Sequence, residues 1–439
     1  MHKKLLPFIL FIVFFQIAKA QNEFITVWKP GNSQQIKFPG RGVSFNVYWE
    51  EIGYPQHNGT INNITSAFEF IINFGAPLNP TPDQASYRIK IRDGNGHFDQ
   101  VRFFDNSVVP AYTNQDMSKI IQITQWGNIK WKSFQSAFIM CDALDMTATD
   151  VPDLSLATSL REMFYLCTSF VGNPSLNNWN TSTITDMYYM FGDALQFNQP
   201  LGSWNTSNVT NMGLMFDNTS FNQHIGEWDT SKVTNMEHMF HSCHNFNQPI
   251  RGWNTSKVTN MNEMFSETAF NQNIGSWNLA SLTTAANMFY NAAMSCQNYD
   301  NTLYGWALNS VTPVNINLSN TSPSVYSNPE AVAARNYLLN KGWTISGDLY
   351  DPQCQSILST SETETRQASG IYPNPAKNII YLKNILNPES YTIYDISGRM
   401  IIKGLLHRNT ISIESLPSGN YILRIITQDK THTFKFIKK

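Results

Sequence analysis

Charge is scarce in this 439-residue chain: Asp, Glu, Lys and Arg together make up 14% of it. No dense Lys/Arg cluster interrupts the body, and a chain lacking one does not bind a phosphate backbone. Nucleic acid is therefore excluded as a partner. Cysteine is also sparse, with five residues at 141, 167, 243, 296 and 354. They look too few and too scattered for a disulfide framework. Only one long apolar run exists, "LLPFILFIVFF", so nothing beyond it approaches the ~20 residues that span a bilayer. Neither a nucleophile elbow nor a phosphate-binding glycine loop occurs.

That single apolar run follows His2, Lys3 and Lys4 and precedes "AKA". A basic start, an apolar centre and a small-x-small end make residues 1–20 a signal peptide, with cleavage before Gln21. No Cys follows Ala20, which argues against a lipid-modified N-terminus, and cleavage would leave no transmembrane anchor. The remaining charge is uneven: residues 21–367 carry a net −11 and residues 368–439 a net +6.

The most informative feature is a repeat. Trp179, Trp204, Trp228, Trp253 and Trp277 recur every 24 or 25 residues, and each stands twelve residues before the Phe of a Met-Phe pair (Phe191, Phe216, Phe240, Phe265, Phe289). The Phe of each "FN" (Phe197, Phe221, Phe246, Phe270) stands seven before the next Trp, so length varies only in the turn between the two Phe positions. Such fixed register predicts a solenoid whose coils stack in ladders, with a period in the range of leucine-rich repeats. Val209, Met212, Met215 and Phe216 fall at i, i+3, i+6 and i+7, which reads as the apolar stripe of a short helix. Cys141, Cys167 and Cys243 each follow a Phe by three residues, so they read as small core residues, with a Cys141–Cys167 bridge open as a possibility. "PEAVAARNYLLNKGW", residues 329–343, predicts a capping helix with Val332, Leu339 and Trp343 on one face.

"FNQPLGSWNTSNVTNMGLMF" resembles the repeat of BspA-like leucine-rich-repeat surface proteins, over roughly Trp126 to Trp306. The resemblance implies secretion or surface display, with adhesion to host or matrix proteins in some members. Before the repeats, "FITVW", "QQIKF", "VSFNVYW" and "SYRIKIR" alternate as strands of a small sandwich. "FNVYWEEIG" resembles a PKD-like domain whose usual Gly-Asp-Gly turn is degraded. After a polar linker come "IYPNPAKNIIYLKN", "YTIYDISGRMI", "ISIESLPSGNYILRI" and "THTFKFIKK", short strands joined by Pro and Gly turns. In order and at the terminus, they resemble the C-terminal sorting domain of type IX secretion cargo of the Bacteroidetes. On that resemblance Tyr372, Pro373, Asn374, Pro375, Gly398, Gly419, Tyr421, Lys435, Lys438 and Lys439 form the sorting signal. It implies passage across both membranes, removal of the domain, and release or attachment to surface lipopolysaccharide. The expected architecture is thus multidomain: signal peptide 1–20, PKD/Ig-like β-sandwich 21–115, leucine-rich-repeat-like α+β solenoid with cap 116–350, linker 351–369, and β-sandwich sorting domain 370–439.

Chemistry is harder to find. His238, His241, Cys243 and His244 offer zinc-type donors, but their spacing matches no closed four-ligand pattern. Asp186, Glu227, Asp229, Glu237 and Glu263 occupy different repeat positions, and no pair is marked out for glycoside hydrolysis. The Met-x-x-Met pairs fall on the core stripe, and the Asn-Thr-Ser triplets, although they match glycosylation acceptors, read as turn chemistry. Tyr188 and Tyr189 hint at sugar stacking without recurring in register. No enzyme, cofactor or metal is expected. The sequence predicts a secreted or outer-surface binding protein, with the type IX machinery and a host, matrix or glycan ligand as partners; the alternatives are a structural surface component and an accessory glycan-binding module.

Overall fold

The computed structural model describes residues 22–354, 356, 370–372, 375–383, 385, 388–395, 399–406, 410–427 and 431–439. The expected signal peptide and most of the linker lie outside them. The chain divides into two compact units, Met1–Leu358 and Ser359–Lys439.

The first unit opens with a seven-stranded sheet. Its order is Asp145–Met146, Ile120–Gln125, Phe24–Trp28, Tyr87–Arg92, Gly40–Glu51 and Tyr54–Ser66, with His97–Val101 also paired to Gly40–Glu51. The stretches that alternate in sequence are strands, and they bury Phe24, Trp28, Phe45, Ile89 and Ile91 completely. A second, two-stranded sheet, Gln35–Phe38 with Phe70–Asn73, contributes Phe38 and Ile72 to the same core. The turn after Trp49 is organised by Glu51. Its fully buried carboxylate accepts from the amides of Leu78 and Asn79 at 2.8 Å each and meets His57 Nδ1 at 2.5 Å.

All pairings in the large sheet are antiparallel except that of Ile120–Gln125 with Asp145–Met146. That parallel pairing starts the repeats, because Ile123 O also accepts from Thr147 and Ala148. Beyond it, single parallel bridges link Ser159, Asp186, Asn211, Asn235, Asn260 and Thr284 in sequence.

The repeats correct the expected fold class. The protein is a sheet- and turn-rich multidomain fold, not an α+β leucine-rich-repeat solenoid: among the described residues there are two α-helices, and both follow the last repeat. Left-handed backbone is what excludes a helix from each coil. Tyr189, Leu214, His238, Glu263 and Asn287 all have φ between 51° and 57°, and Asp193, Asn218, Ser242, Glu267 and Asn291, four residues later, have φ between 52° and 57°. An α-helix of L-residues cannot contain such positions. The chain makes consecutive tight turns (Met215 N to Met212 O, Asp217 N to Leu214 O), and every second amide donates to the next coil. Met212, Leu214, Phe216 and Asn218 donate to the carbonyls of Asn235, Glu237, Met239 and His241. A three-residue spacing of apolar side chains suits such turns as well as a helix, so Val209, Met212, Met215 and Phe216 are still fully buried.

Tryptophan completes the register. The Trp204, Trp228, Trp253 and Trp277 indoles donate to the carbonyls of Leu176, Leu201, Ile225 and Ile250 at 2.7–3.2 Å. Each of those carbonyls also accepts the amide of the Trp three residues after it. Indole centroids along Trp179 to Trp277 are 6.4–6.5 Å apart. Buried Thr181, Thr206, Thr230 and Thr255 donate from Oγ1 to the next coil at 2.8–3.0 Å. The preceding Asn or Asp accepts the amide of the Ser that follows. Within the triplets the threonine is interior, and only the flanking side chains reach solvent.

Two helices, α1 (Cys296–Leu308) and α2 (Pro329–Asn340), close the far end. Ser295 and Asn328 cap them by accepting from Asn298 and Glu330. Trp306 on α1 continues the indole ladder, donating to Ile274 O at 3.1 Å. The buried face of α2 is Ala331, Ala334 and Leu338, one residue out of register with the Val332–Leu339 stripe expected. Val332 and Leu339 are half-buried, and Trp343 is buried beyond the helix end. The cysteines add one bridge to the core roles expected of three of them. Cys296 and Cys354 are bonded, their Cα atoms 6.4 Å apart, while Cys141, Cys167 and Cys243 are free and buried. Cys141 and Cys167 occupy equivalent core positions in adjacent coils, where the Cys167 thiol donates to Phe138 O at 2.9 Å. The bridge pins residue 354 to the start of α1, beside buried Asp300, which accepts from the amides of Ser327 and Asn328.

The second unit holds a three-stranded sheet (Gly370–Tyr372, Ile379–Lys383, Thr410–Ser412) and a four-stranded one in the order Met400–Leu405, Pro388–Asp395, Gly419–Thr427, Thr431–Lys438. Ile380, Ile393, Ile411, Leu423, Ile425 and Phe436 make its core.

Two outcomes test this account. Trp228→Phe removes one inter-coil hydrogen bond but leaves Leu201 O bonded to Trp204, so urea unfolding should show a loss of about 2 kcal/mol, part bond and part cavity. Glu51→Ala removes the acceptor of the Leu78 and Asn79 amides and of His57 and should cost about 2 kcal/mol in the same measurement. Burial alone would raise the Glu51 carboxyl, but the two amides and His57 outweigh it and hold the group below the usual carboxylate range. Its contribution is therefore complete above the unfolded glutamate value and disappears as pH falls through the folded one. The wild type should lose stability over that acid window, and Glu51→Ala should lose less.

Candidate functional site

Most repeat positions are committed to structure. "FNQ" is an example: the amides of Asn222, Asn247 and Asn271 donate to the side-chain oxygens of Asn198, Asn222 and Asn247, and Gln223, Gln248 and Gln272 reach the same oxygens. Counted from the Phe of each Met-Phe pair, the residues three and two before it and one and two after it stand apart, although several of them also bond across coils, as Asn218 does to Asp193 and Asn287 to Glu263. These are largely half-exposed, and they change chemistry from coil to coil.

In the early coils the surface is aromatic, with one arginine, Arg161, paired to Glu162 at 3.1 Å and 3.7 Å from Asp186. The Arg161 guanidinium sits 4.1 Å from the Tyr188 ring centroid. Tyr165 and Tyr189 lie 4.4 Å apart, and Tyr188 and Tyr189 5.1 Å apart, edge to face. Glycines make room for these rings. A Cβ at Gly192 would fall 2.4 Å from Tyr189 Cδ1, and one at Gly213 would fall 3.1 Å from Tyr188 Cδ2. Tyr188 and Tyr189 were readable in sequence; Arg161 and Tyr165 were missed because they belong to a weaker copy of the repeat.

In the middle coils the same surface carries acid and imidazole. His241 Nδ1 is 2.7 Å from Asp217 Oδ1 and its Nε2 is 3.8 Å from Glu263 Oε2, while His238 Nδ1 is 3.6 Å from that oxygen. The sequence-derived zinc candidates are thus split. His238 and His241 come together with Glu263, within 4.8 Å. Cys243 is fully buried, bonded to Phe221 O at 3.1 Å, and exposed His244 turns to Glu267 O at 2.8 Å. Glu263, one coil away, was legible only as one of five scattered carboxylates.

The other carboxylates mostly act as acceptors. Asp186 and Asp229 receive the amides of Tyr188 and Ser231, and Glu237 receives the side chains of Asn235 and Asn260. Glu227 is exposed, 4.0 Å from His224.

In the second unit Tyr421 is buried, donates to Pro417 O at 2.9 Å and stacks on Phe436 at 5.5 Å. Gly419 pairs with Lys438, and Lys439 N donates to Ala376 O at 2.9 Å, so the chain end is clipped into the sheet. Lys435, Lys439 and Pro375 are exposed and Lys438 is half-buried. Tyr372 lies on an edge strand, opposite Tyr381. Pro373, Asn374 and Gly398 lie outside the described residues.

With this geometry in place, comparison with known families is decisive for one unit. Residues 370–439 match the secretion system C-terminal sorting domain. The chain is exported. Its destination is the cell surface or the medium, and the type IX secretion machinery is a partner. Residues 132–225 and 217–326 match the family described as Mycoplasma protein of unknown function, DUF285. No curated protein matches the chain. Among the described residues no helix is long and apolar enough to cross a membrane.

One outcome concerns the imidazole. The hydrogen bond to Asp217 raises His241 above the ordinary imidazole value, against the opposing effect of burial. The stabilisation from this pair is full below the unfolded histidine value and fades as pH rises through the folded one. An NMR titration should place His241 above the usual range, and Asp217→Asn should bring it back down.

Proposed function

We propose that the exported protein is a non-enzymatic binder that engages a protein or glycan through the variable surface of its repeats. The observation that carries this reading is the division of labour within each coil. The recurring Thr, Asn and Gln side chains are taken up by bonds within and between coils, while the residues flanking each Met-Phe pair are largely half-exposed and change chemistry from coil to coil. A scaffold that keeps its register while changing four positions per coil suits recognition. Carboxylates that already accept from amides and Asn side chains, at non-equivalent positions, support a role without catalysis.

The tyrosine–arginine patch favours a glycan ligand as the second reading, since Tyr165, Tyr188 and Tyr189 share one surface and aromatic faces stack on sugar rings. The test is an array of matrix proteins and glycans probed with the exported chain and with an Arg161→Ala/Tyr188→Ala variant. The expected result is saturable binding to at least one class, weakened tenfold or more by the variant. Binding no better than an unrelated exported protein would sink the proposal and leave a structural surface component.

A further inference from the structure

The middle coils hold a set of donors that the binding role does not require. We propose that His238, His241 and Glu263 form a site for a divalent transition cation of the zinc type, with three protein ligands and one open position.

The distances carry the argument. Glu263 Oε2 stands 3.6 Å from His238 Nδ1 and 3.8 Å from His241 Nε2, both too long for hydrogen bonds. Ligands at the ~2.0–2.1 Å bond lengths of zinc sit about 3.3–3.4 Å from one another on a tetrahedron. Those two gaps need to close by only a few tenths of an ångström. The ligand atoms lie within 4.8 Å of one another, so any wider separation among them closes by no more than about 1.5 Å. Two imidazoles and a carboxylate suit zinc, copper(II) or nickel(II) rather than calcium or magnesium, which prefer oxygen alone.

Groups behind the ligands hold them in place. Asp217, 13% exposed, takes the Nδ1 side of His241 at 2.7 Å and thereby directs Nε2 towards Glu263. That is the carboxylate–histidine arrangement which fixes the tautomer of a metal-binding imidazole. Asn287 Nδ2 donates to Glu263 Oε1 at 3.1 Å, leaving Oε2 for the two histidines. Ser242 Oγ is 3.5 Å from His241 Nε2 but lies nearer Glu267, at 3.3 Å. The ligands come from two successive coils, His238 and Glu263 at equivalent positions, so inter-coil register sets their separation. All three are 28–30% exposed, so a bound ion would exchange with solvent and keep a face open to a further donor.

The test uses the tag-free exported chain titrated with Co²⁺ and Zn²⁺ alone. One equivalent of Co²⁺ should give the visible bands of a four-coordinate site, and Zn²⁺ should abolish them. His238→Ala/His241→Ala should remove the bands, Glu263→Gln should weaken binding tenfold or more, and Asp217→Asn should weaken it ten- to a hundredfold by loosening His241. His244→Ala and His224→Ala should change nothing. Circular dichroism and thermal unfolding establish that each variant keeps its fold; if the double variant does not, Glu263→Gln decides alone. Absence of stoichiometric binding, or binding that survives both the double variant and Glu263→Gln, overturns the assignment.

Discussion

Each coil depends on its neighbours for backbone hydrogen bonds. Within a coil there is no α-helix among the described residues, so the amides left over by tight turns donate elsewhere. They donate to the next coil at every second residue, and the tryptophan indole adds a bond to a carbonyl that already serves an amide. A buried carbonyl with both lone pairs used is a strong constraint on spacing. Together with the amide ladder of the Met-Phe turns, it fits the constancy of the Trp-to-Phe interval.

The same constraint determines what is left for function. Asn, Thr and Ser are abundant because each coil needs a buried hydroxyl at Thr206, an Asx turn at Asn205 and a carbonyl acceptor at Asn222. Polarity here reports structure more than recognition. Departures from the consensus set the coils apart: Tyr188 and Tyr189 set against Gly213 and Gly192, and the two histidines facing Glu263.

The period, the core positions and the sorting tail were legible because they are properties of spacing and order. Trp204, Met212, Phe216 and Phe221 read as interior, and they are buried. The conformation of the stripe was not legible. Left-handed backbone at Tyr189, Leu214, His238 and Glu263 falls on residues with no glycine-like preference, and the local sign of turns is confined to Asn and Asp at Asp193, Asn218, Asn287 and Asn291. Tertiary bonding selects the turns. Cys296 and Cys354, 58 residues apart, gave no sequence signal because the fold alone brings them together. For the candidate site, residue types were visible but partners were not. His238 and His241 sit beside Cys243 and His244 in sequence, yet one of those neighbours points into the core and the other to Glu267. Glu263 joins them only because coils stack.

A stack whose coils need neighbours leaves unsatisfied groups at both ends, and an exposed row of such groups invites pairing with other chains. The protein deals with the two ends differently. At the first, strand Ile120–Gln125 belongs to an antiparallel sheet on one edge and offers a parallel template on the other. At the last, Ala285, Asn287 and Asn291 donate to Asn317, Ser319 and Ser322, that segment pairs in parallel with a further rung at Thr344–Ile345 and Leu349–Tyr350, and the Cys296–Cys354 bridge ties the chain just beyond it to the start of α1. A disulfide persists in an oxidising compartment, which is where the sorting domain sends the chain. Between those ends the stack presents its flanks, and the flank whose residues vary is the one that combines chemical contrast with a fixed frame.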